Sequence, residues 1–348
     1  MSFSGFVAPA YGARPIAPSK KCSARTLAWN TTRVRMTVSG DGGAAREQKS
    51  LGSLVKSVNK FTRPHTIRGT ILGAFAGCTK ALVENSSAID WGLIPTAVMG
   101  LVALLCGNAY IVGINQIYDI DIDKVNKPFL PLASGEMNKT VAWTVVLASL
   151  ACGMAIVYRF YSSLIFKLYS FGLLLGTIYS VPPFHLKRFP VLAALIISTV
   201  RGFLLNFGVY HATCAALKVP FGWNVPIAFL ATFMTLFAVV IALSKDIPDI
   251  EGDRTGNVET FSTRLGPRRM VQTVTNLLTA NYMMAIGVAL RFPTQVRAPV
   301  MIAAHLAMLV SLRIRSTKVE YESKEGVKKF YAFIWLLFYL EYMLFPFL

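Results

Sequence analysis

Residues 91–123 read WGLIPTAVMGLVALLCGNAYIVGINQIYDIDID, and the change of character inside this stretch decides the fold. From Trp91 to Tyr118 no side chain is charged over 28 residues, more than the ~20 that carry an α-helix across the hydrocarbon core of a bilayer. Three aspartates in five residues then end the run. Four more uncharged stretches, 140–158, 168–186, 219–244 and 270–290, run 19, 19, 26 and 21 residues. Of the 348 residues 54% are hydrophobic and 15% charged, where an average soluble domain has about 45–50% and about 25%. With a mean hydropathy of +0.52, the composition excludes a soluble globule. The chain reads as an all-α, multi-pass membrane protein.

Apolar runs and their breakers predict nine transmembrane helices, at 66–86, 93–118, 140–160, 163–182, 189–212, 224–245, 270–290, 296–313 and 329–347. The first carries Arg68, Lys80 and Glu84 near its ends, where long side chains can reach the interface, and the ninth contains Glu341. The five cysteines, Cys22, Cys78, Cys106, Cys152 and Cys214, show no CxxC or Cys/His spacing, so neither a disulfide framework nor a zinc site is indicated. They read as small core residues.

The net charge of +18 would suggest nucleic acid in a soluble protein, but here the basic residues sort by side of the membrane. From residue 51 on, 20 lie before or at the start of the first helix or around the loops after even-numbered helices, and 6 around the other loops. The excess therefore marks the side of synthesis and predicts no nucleic-acid partner. Residues 1–40 hold Arg14, Lys20, Lys21, Arg25, Arg33 and Arg35, no acid and many small or hydroxylated residues, without the apolar core of a secretory signal. That composition suits an organellar targeting peptide, so 1–50 reads as a transit peptide and disordered arm and 51–348 as the membrane domain.

Both acid-rich motifs fall on the basic side. In the first, Asn115, Asp119 and Asp123 recur at steps of four and share a helix face, an NxxxDxxxD array at the end of the second predicted helix. In the second, KDIPDIEGDR at 245–254, Asp249 and Asp253 repeat the DxxxD spacing at the end of the sixth. Carboxylates crowded at a membrane boundary repel one another unless cations stand between them. Magnesium binds through one or two carboxylates together with phosphate oxygens, so two facing arrays flanked by Lys124, Lys127, Lys245 and Arg254 describe a magnesium-bridged diphosphate site. One array alone would read as a solvated helix end with its acids paired to neighbouring lysines; two on one side favour chemistry. Asp121 lies off the shared face and reads as solvated. Such a site suits ionisation of an allylic diphosphate in a cavity shielded from water. A cation transporter would also place acids among membrane helices, but near the midplane on broken helices rather than at helix ends.

These motifs resemble the UbiA superfamily of intramembrane aromatic prenyltransferases. Within it NQIYDIDIDKVNKPFLPLASGE at 115–136 and KDIPDIEGD at 245–253 are similar to the plastid homogentisate prenyltransferases. YSVPPF at 179–184, RGFLLNFGVYHAT at 201–213 and the closing FIWLLFYLEYMLFPFL look most like the solanesyl-transferring branch. The resemblance covers nearly all of 60–348 and implies a UbiA-type bundle around a central cavity. It also implies transfer of solanesyl from its diphosphate to homogentisate with decarboxylation, giving 2-methyl-6-solanesyl-1,4-benzoquinol for plastoquinone synthesis. Phytyl or geranylgeranyl transfer toward tocopherols is the alternative, because PLASGE at 131–136 is closer to the phytyl branch. Carried onto this chain, Asn115, Asp119, Asp123, Asp249 and Asp253 hold magnesium and diphosphate with Asp246 supporting, while Lys124, Lys127, Lys245 and Arg254 face diphosphate oxygens. The implied location is a chloroplast membrane, envelope or thylakoid, with the active face toward the stroma.

Four other residues belong to the expected site. Arg201 lies about twelve residues into the fifth predicted helix, where an arginine is costly and by default functional, as a partner of an acceptor carboxylate or the diphosphate. Tyr179, before the Pro182-Pro183 stop, is placed to line the acceptor pocket or face a cation with its ring. Arg63 and Arg68 reach toward the diphosphate or anchor the first helix.

Overall fold

Every predicted membrane helix is present in the computed structural model, which describes residues 51–255 and 259–348. The helices are α1 (Leu51–Phe61), α2 (Pro64–Glu84), α3 (Ile94–Tyr118), α4 (Ile120–Asn126), α5 (Lys139–Phe160), α6 (Ser163–Ser180) and α7 (Pro190–Ile197). They continue with α8 (Leu205–Ala216), α9 (Val225–Ser244), α10 (Ile250–Thr255), α11 (Phe261–Arg291), α12 (Ala298–Thr317) and α13 (Lys324–Leu344). No strand occurs among the described residues. The expected transit peptide, residues 1–50, lies outside them.

Eight segments among the described residues are long and apolar enough to cross a membrane, including Pro190–Ala216, which joins α7 and α8. The ninth expected helix, α2, has 21 residues but carries three charges, which keep it out of that group. Two of those charges, Lys80 and Glu84, are satisfied internally, while Arg68 is exposed. Lys80 is buried, donates to the Leu348 carbonyl at 2.6 Å and stands 3.6 Å from Glu84. Glu84 also accepts from Tyr210 of α8 and, at 3.0 Å, from Asn224. A polar network, rather than snorkelling, satisfies this end of α2. Glu341 of α13 is likewise buried and faces His305 Nε2 of α12 at 3.4 Å, while His305 Nδ1 meets the Met301 carbonyl at 2.6 Å. Of the four described cysteines only Cys214 is buried; Cys152 is exposed, contrary to the core reading.

Packing divides into two groups. Phe233 and Phe237 of α9, Leu278 and Tyr282 of α11 and Phe338 of α13 are almost fully buried at the centre of the larger. The smaller gathers Phe61, Tyr110, Val146 and Leu173 where α3, α5 and α6 meet. Large apolar side chains elsewhere point outward, Phe75, Tyr158 and Leu174 at 63%, 77% and 54% exposure, as helices bathed in lipid require.

Between α7 and α8 the chain widens into a π-helical turn, Ser198–Leu204, without breaking the rod. Sequence periodicity gives no hint of it, because one extra residue per turn leaves the apolar run intact. Its Gly202 lies against the α9 backbone: a Cβ there would stand 2.8 Å from Thr235 N and 2.9 Å from the Met234 carbonyl. Glycine is what lets the two helices touch. Asn206, fully buried, donates to the Gly202 carbonyl at 2.5 Å and meets the local backbone demand a π turn creates.

Candidate active site

The two acidic arrays meet. At the first, α3 ends at Tyr118 and α4 begins at Ile120, so Asp119 sits in a kink rather than mid-helix. The four-residue spacing survives, since Asp123 N still donates to the Asp119 carbonyl at 2.8 Å. Asn115 Nδ2 donates to Asp119 Oδ2 at 2.8 Å, and Lys187 pairs with the other carboxylate oxygen. At the second, α9 ends before Lys245, and α10 sets Asp249 and Asp253 one turn apart, joined by the Asp253 N to Asp249 carbonyl bond of 2.9 Å.

Two contacts close the gap between arrays. Lys127, just after α4, pairs with Asp249 Oδ2, and Asn126 Nδ2 donates to Asp253 Oδ1 at 3.1 Å. The approach depends on Gly252, because a Cβ at that position would fall on the Asn126 side chain. Arg63, its side chain one-fifth exposed, reaches within 4.0 Å of Asp123 Oδ2. Lys245 lies 2.9 Å from Asp246 Oδ1, with Tyr179 beside it.

The field of these charges is uneven. Burial, reinforced by the Asp246 and Asp249 carboxylates, raises Asp253 to about 7. Burial also raises Asp123, against the pull of Lys127 and Arg63. Burial lowers Lys187, with Asp119 opposing. Asp253 thus takes up a proton near neutrality, and a cation held by it must displace that proton. As pH falls below about 7, the magnesium concentration for half-maximal activity is expected to climb, approaching about tenfold per pH unit, and above 7 to level off. A magnesium titration at pH 6, 7 and 8 measures this; an unchanged requirement would remove Asp253 from the cation site. The linkage runs the other way without metal: the folded chain holds a proton the unfolded one releases, so metal-free stability falls as pH rises from about 4 to about 7.

Asn115, Asp119, Asp123, Asp246, Asp249 and Asp253 all line one cavity of about 1,070 Å3, with Lys127, Lys245, Arg63, Arg201 and Tyr179. Three expected contacts stand apart from its lining. Lys124 pairs with Asp121 at 3.0 Å on the surface, where Asp121 is 94% exposed as its off-face position predicts. Arg254 is exposed and donates to the Thr263 carbonyl at 3.3 Å, and Arg68 is exposed on α2. Two residues that sequence reading passed over take their place. Asn126 lies three residues after Asp123, a spacing that returns to the same helix face, and Lys187 had been counted only among the basic residues of its loop.

The residues fit a hard divalent cation. Their donors are all oxygen, Asp123 Oδ2 is buried without a hydrogen-bond partner, and lysines stand where cations are needed. Among the described residues, no three acidic, histidine or cysteine side chains already stand close enough to enclose one ion. Lysines pair with Asp119, Asp249 and Asp246, while Arg63 stands by Asp123 and Asn126 donates to Asp253.

Beyond this polar mouth the cavity wall turns apolar, through Ile111, Leu173 and Leu204 to Trp91 and Leu217 at the far end. A helical bundle with two apposed aspartate arrays over a long apolar cavity defines an intramembrane enzyme class that handles a charged headgroup and a lipid tail together. The UbiA prenyltransferase family model matches residues 70–337, and the chain belongs to that family. It is 52% identical over 309 residues to a rice (Oryza sativa subsp. japonica) protein named probable homogentisate phytyltransferase 2, chloroplastic, covering 88% of this chain and 82% of that one. It is 51% identical to the homogentisate solanesyltransferase, chloroplastic, of Arabidopsis thaliana, over 88% and 81% of the two chains. The fold matches a UbiA homolog from Archaeoglobus fulgidus, solved bound to GPP and magnesium, with a TM-score of 0.61 at 20% identity over 83% of this chain and 99% of that one.

Proposed function

We propose that this chain is a magnesium-dependent homogentisate prenyltransferase that transfers solanesyl from solanesyl diphosphate with decarboxylation, in a chloroplast membrane with the arrays facing the stroma. The observation that carries the reading is the joining of the two arrays, through Lys127 with Asp249 and Asn126 with Asp253, at the mouth of an otherwise apolar cavity. At about 1,070 Å3 that cavity is at or beyond the upper end of the ~300–1,000 Å3 of ordinary small-molecule pockets, as a long isoprenoid demands. Phe75 of α2 and Val98 of α3 line it yet are 63% and 54% exposed, so its wall is open toward lipid, from which a tail can enter.

The residues divide the work by chemistry. Asn115, Asp119, Asp123, Asp249 and Asp253, with Asp246 supporting, would hold magnesium, which when bound neutralises the charge that develops on departing diphosphate. Lys127, Lys187, Lys245 and Arg63 are cations beside the same carboxylates, placed to bind diphosphate oxygens. They serve two states, pairing with aspartate when no substrate is present and with phosphate when it is. Tyr179 and Tyr331 turn aromatic surface into the cavity near Lys245, where a ring face favours an allylic cation and excludes water. An electron-rich acceptor ring needs little further activation to capture that cation. The positive-inside bias and the acid-free arm support the stromal orientation and import.

Phytyl transfer is the second reading, favoured by the rice relative's name and by PLASGE at 131–136. Membranes containing the chain, supplied with labelled homogentisate, magnesium and solanesyl, phytyl or geranylgeranyl diphosphate, separate the two. A higher kcat/KM with solanesyl diphosphate is expected. Preference for phytyl moves the chain to that branch, and no product with any donor overturns the reading.

A further inference from the structure

Arg201 stands apart from every other cation of the cavity. It sits on the π-helical turn, eleven residues into the Pro190–Ala216 rod, or about 16 Å along it from the end next to the carboxylates. No acid lies within ion-pairing distance among the described residues, and its Nη1 is buried without a hydrogen-bond partner. Its guanidinium lies over a π face, 5.6 Å from the Trp335 ring. Tyr331, Tyr339 and Tyr342 of α13 lie within its electrostatic reach. An arginine kept for structure pairs with a carboxylate or a row of carbonyls; this one is held in an aromatic enclosure and left without an anion.

Its position is fixed from behind. Gly202, the next residue, lies against the α9 backbone, and Asn206 ties down the Gly202 carbonyl at 2.5 Å, so the turn that carries Arg201 cannot slide. Arg201 and Trp335 both line the cavity. Tyr331 lines the same cavity and lies within electrostatic reach of both Arg201 and the Lys245, Asp249 and Arg63 group at its mouth. The diphosphate already has Arg63, Lys127, Lys187 and Lys245 at the carboxylates, and a second anion is needed for Arg201.

Resting on the prenyltransferase reading above, we propose that Arg201 binds the carboxylate of the aromatic acid acceptor, with Trp335 and Tyr331 flanking its ring. The acceptor then lies between this guanidinium and the diphosphate mouth, its ring carbon toward the donor. Arg201 makes the site select acidic phenols over neutral ones, a specificity that the aspartate arrays, built for the donor, do not supply.

The test uses membranes carrying the full chain and its Arg201→Gln and Arg201→Lys variants, with magnesium and the preferred prenyl diphosphate. Two acceptors are compared: homogentisate, and methylhydroquinone, which has a methyl where homogentisate has a carboxymethyl. Arg201→Gln is expected to raise the KM for homogentisate roughly 10- to 100-fold, the loss of one charge-assisted pair, while donor KM and methylhydroquinone turnover stay at the level of the unaltered chain. Arg201→Lys falls between, keeping charge but losing the two-pronged geometry. The unaltered chain alone should show a KM for methylhydroquinone higher by a similar factor, a readout that holds even if a variant fails to accumulate. Equal losses with both acceptors, a raised donor KM, or an unaltered chain that does not distinguish the acceptors would each overturn the assignment. No product from homogentisate in the unaltered chain would instead overturn the prenyltransferase reading beneath it.

Discussion

Asp119→Asn and Asp249→Asn each lower turnover by roughly a thousand-fold or more while the protein remains inserted and folded. Asparagine keeps the shape of each side chain and removes the charge, so the loss isolates electrostatics from packing. Both aspartates now pair with a lysine, Lys187 and Lys127, and a purely structural role would lie in those pairs. The two roles separate in the double variant Asp119→Asn/Lys187→Gln. Leaving Lys187 without its counter-ion costs stability, since burial already disfavours its ammonium, and the added glutamine removes that cost. The thermal midpoint therefore recovers in the double variant and turnover does not. Turnover returning with stability, or near-normal activity in either single variant, would show that the carboxylates only hold the loops.

Most helices were legible because they are apolar runs bounded by charge or proline, and their ends fall within five residues of the predicted ones apart from α11. That segment begins at Phe261, nine residues before the expected start, because a short helical stretch precedes a break at Gly266, whose φ of 77° is non-helical, and the membrane helix proper resumes at Pro267. The four-residue spacing of Asn115, Asp119 and Asp123 persists even though α3 breaks at Asp119, since the kink conserves the one-turn repeat. What one-dimensional spacing could not provide was the link across 127 positions of sequence between Asn126 and Asp253. Nor does it separate Lys127, which turns inward to Asp249, from Lys124, which turns outward to Asp121. On a continuous helix residues three apart share a face, but Lys127 follows the end of α4 with a non-helical φ of −138°, so its side chain leaves the helical register. The buried charges of α2 and α13 were visible as anomalies, but their partners Tyr210, Asn224 and His305 come from other helices. The π turn under Arg201 leaves no mark on hydropathy, so the sequence exposed the arginine and concealed what aims it.

That cross-link sets the second expectation. Asn126→Leu keeps the branching of the side chain and removes the one hydrogen bond the Asp253 carboxylate accepts across the gap, 3.1 Å long. Asp253 is already raised to about 7 by burial and by its acidic neighbours, and losing a donor to its charged form raises it further. A partner of this kind, one step behind a metal ligand, is commonly worth about 10- to 100-fold in metal affinity. The magnesium concentration for half-maximal activity should therefore rise by that factor, and its pH dependence should move upward. Near-normal kcat should return at saturating magnesium, because every oxygen proposed as a ligand is still present. Gly252→Ala should reproduce the effect from the opposite side, since its Cβ would stand 2.8 Å from Asn126 Nδ2 and push the two loops apart. A kcat that magnesium cannot restore would make Asn126 a direct participant in catalysis. An unaltered magnesium requirement in both variants would mean that the two arrays meet without acting on one ion pair, and the single-site reading of the cavity mouth would fall.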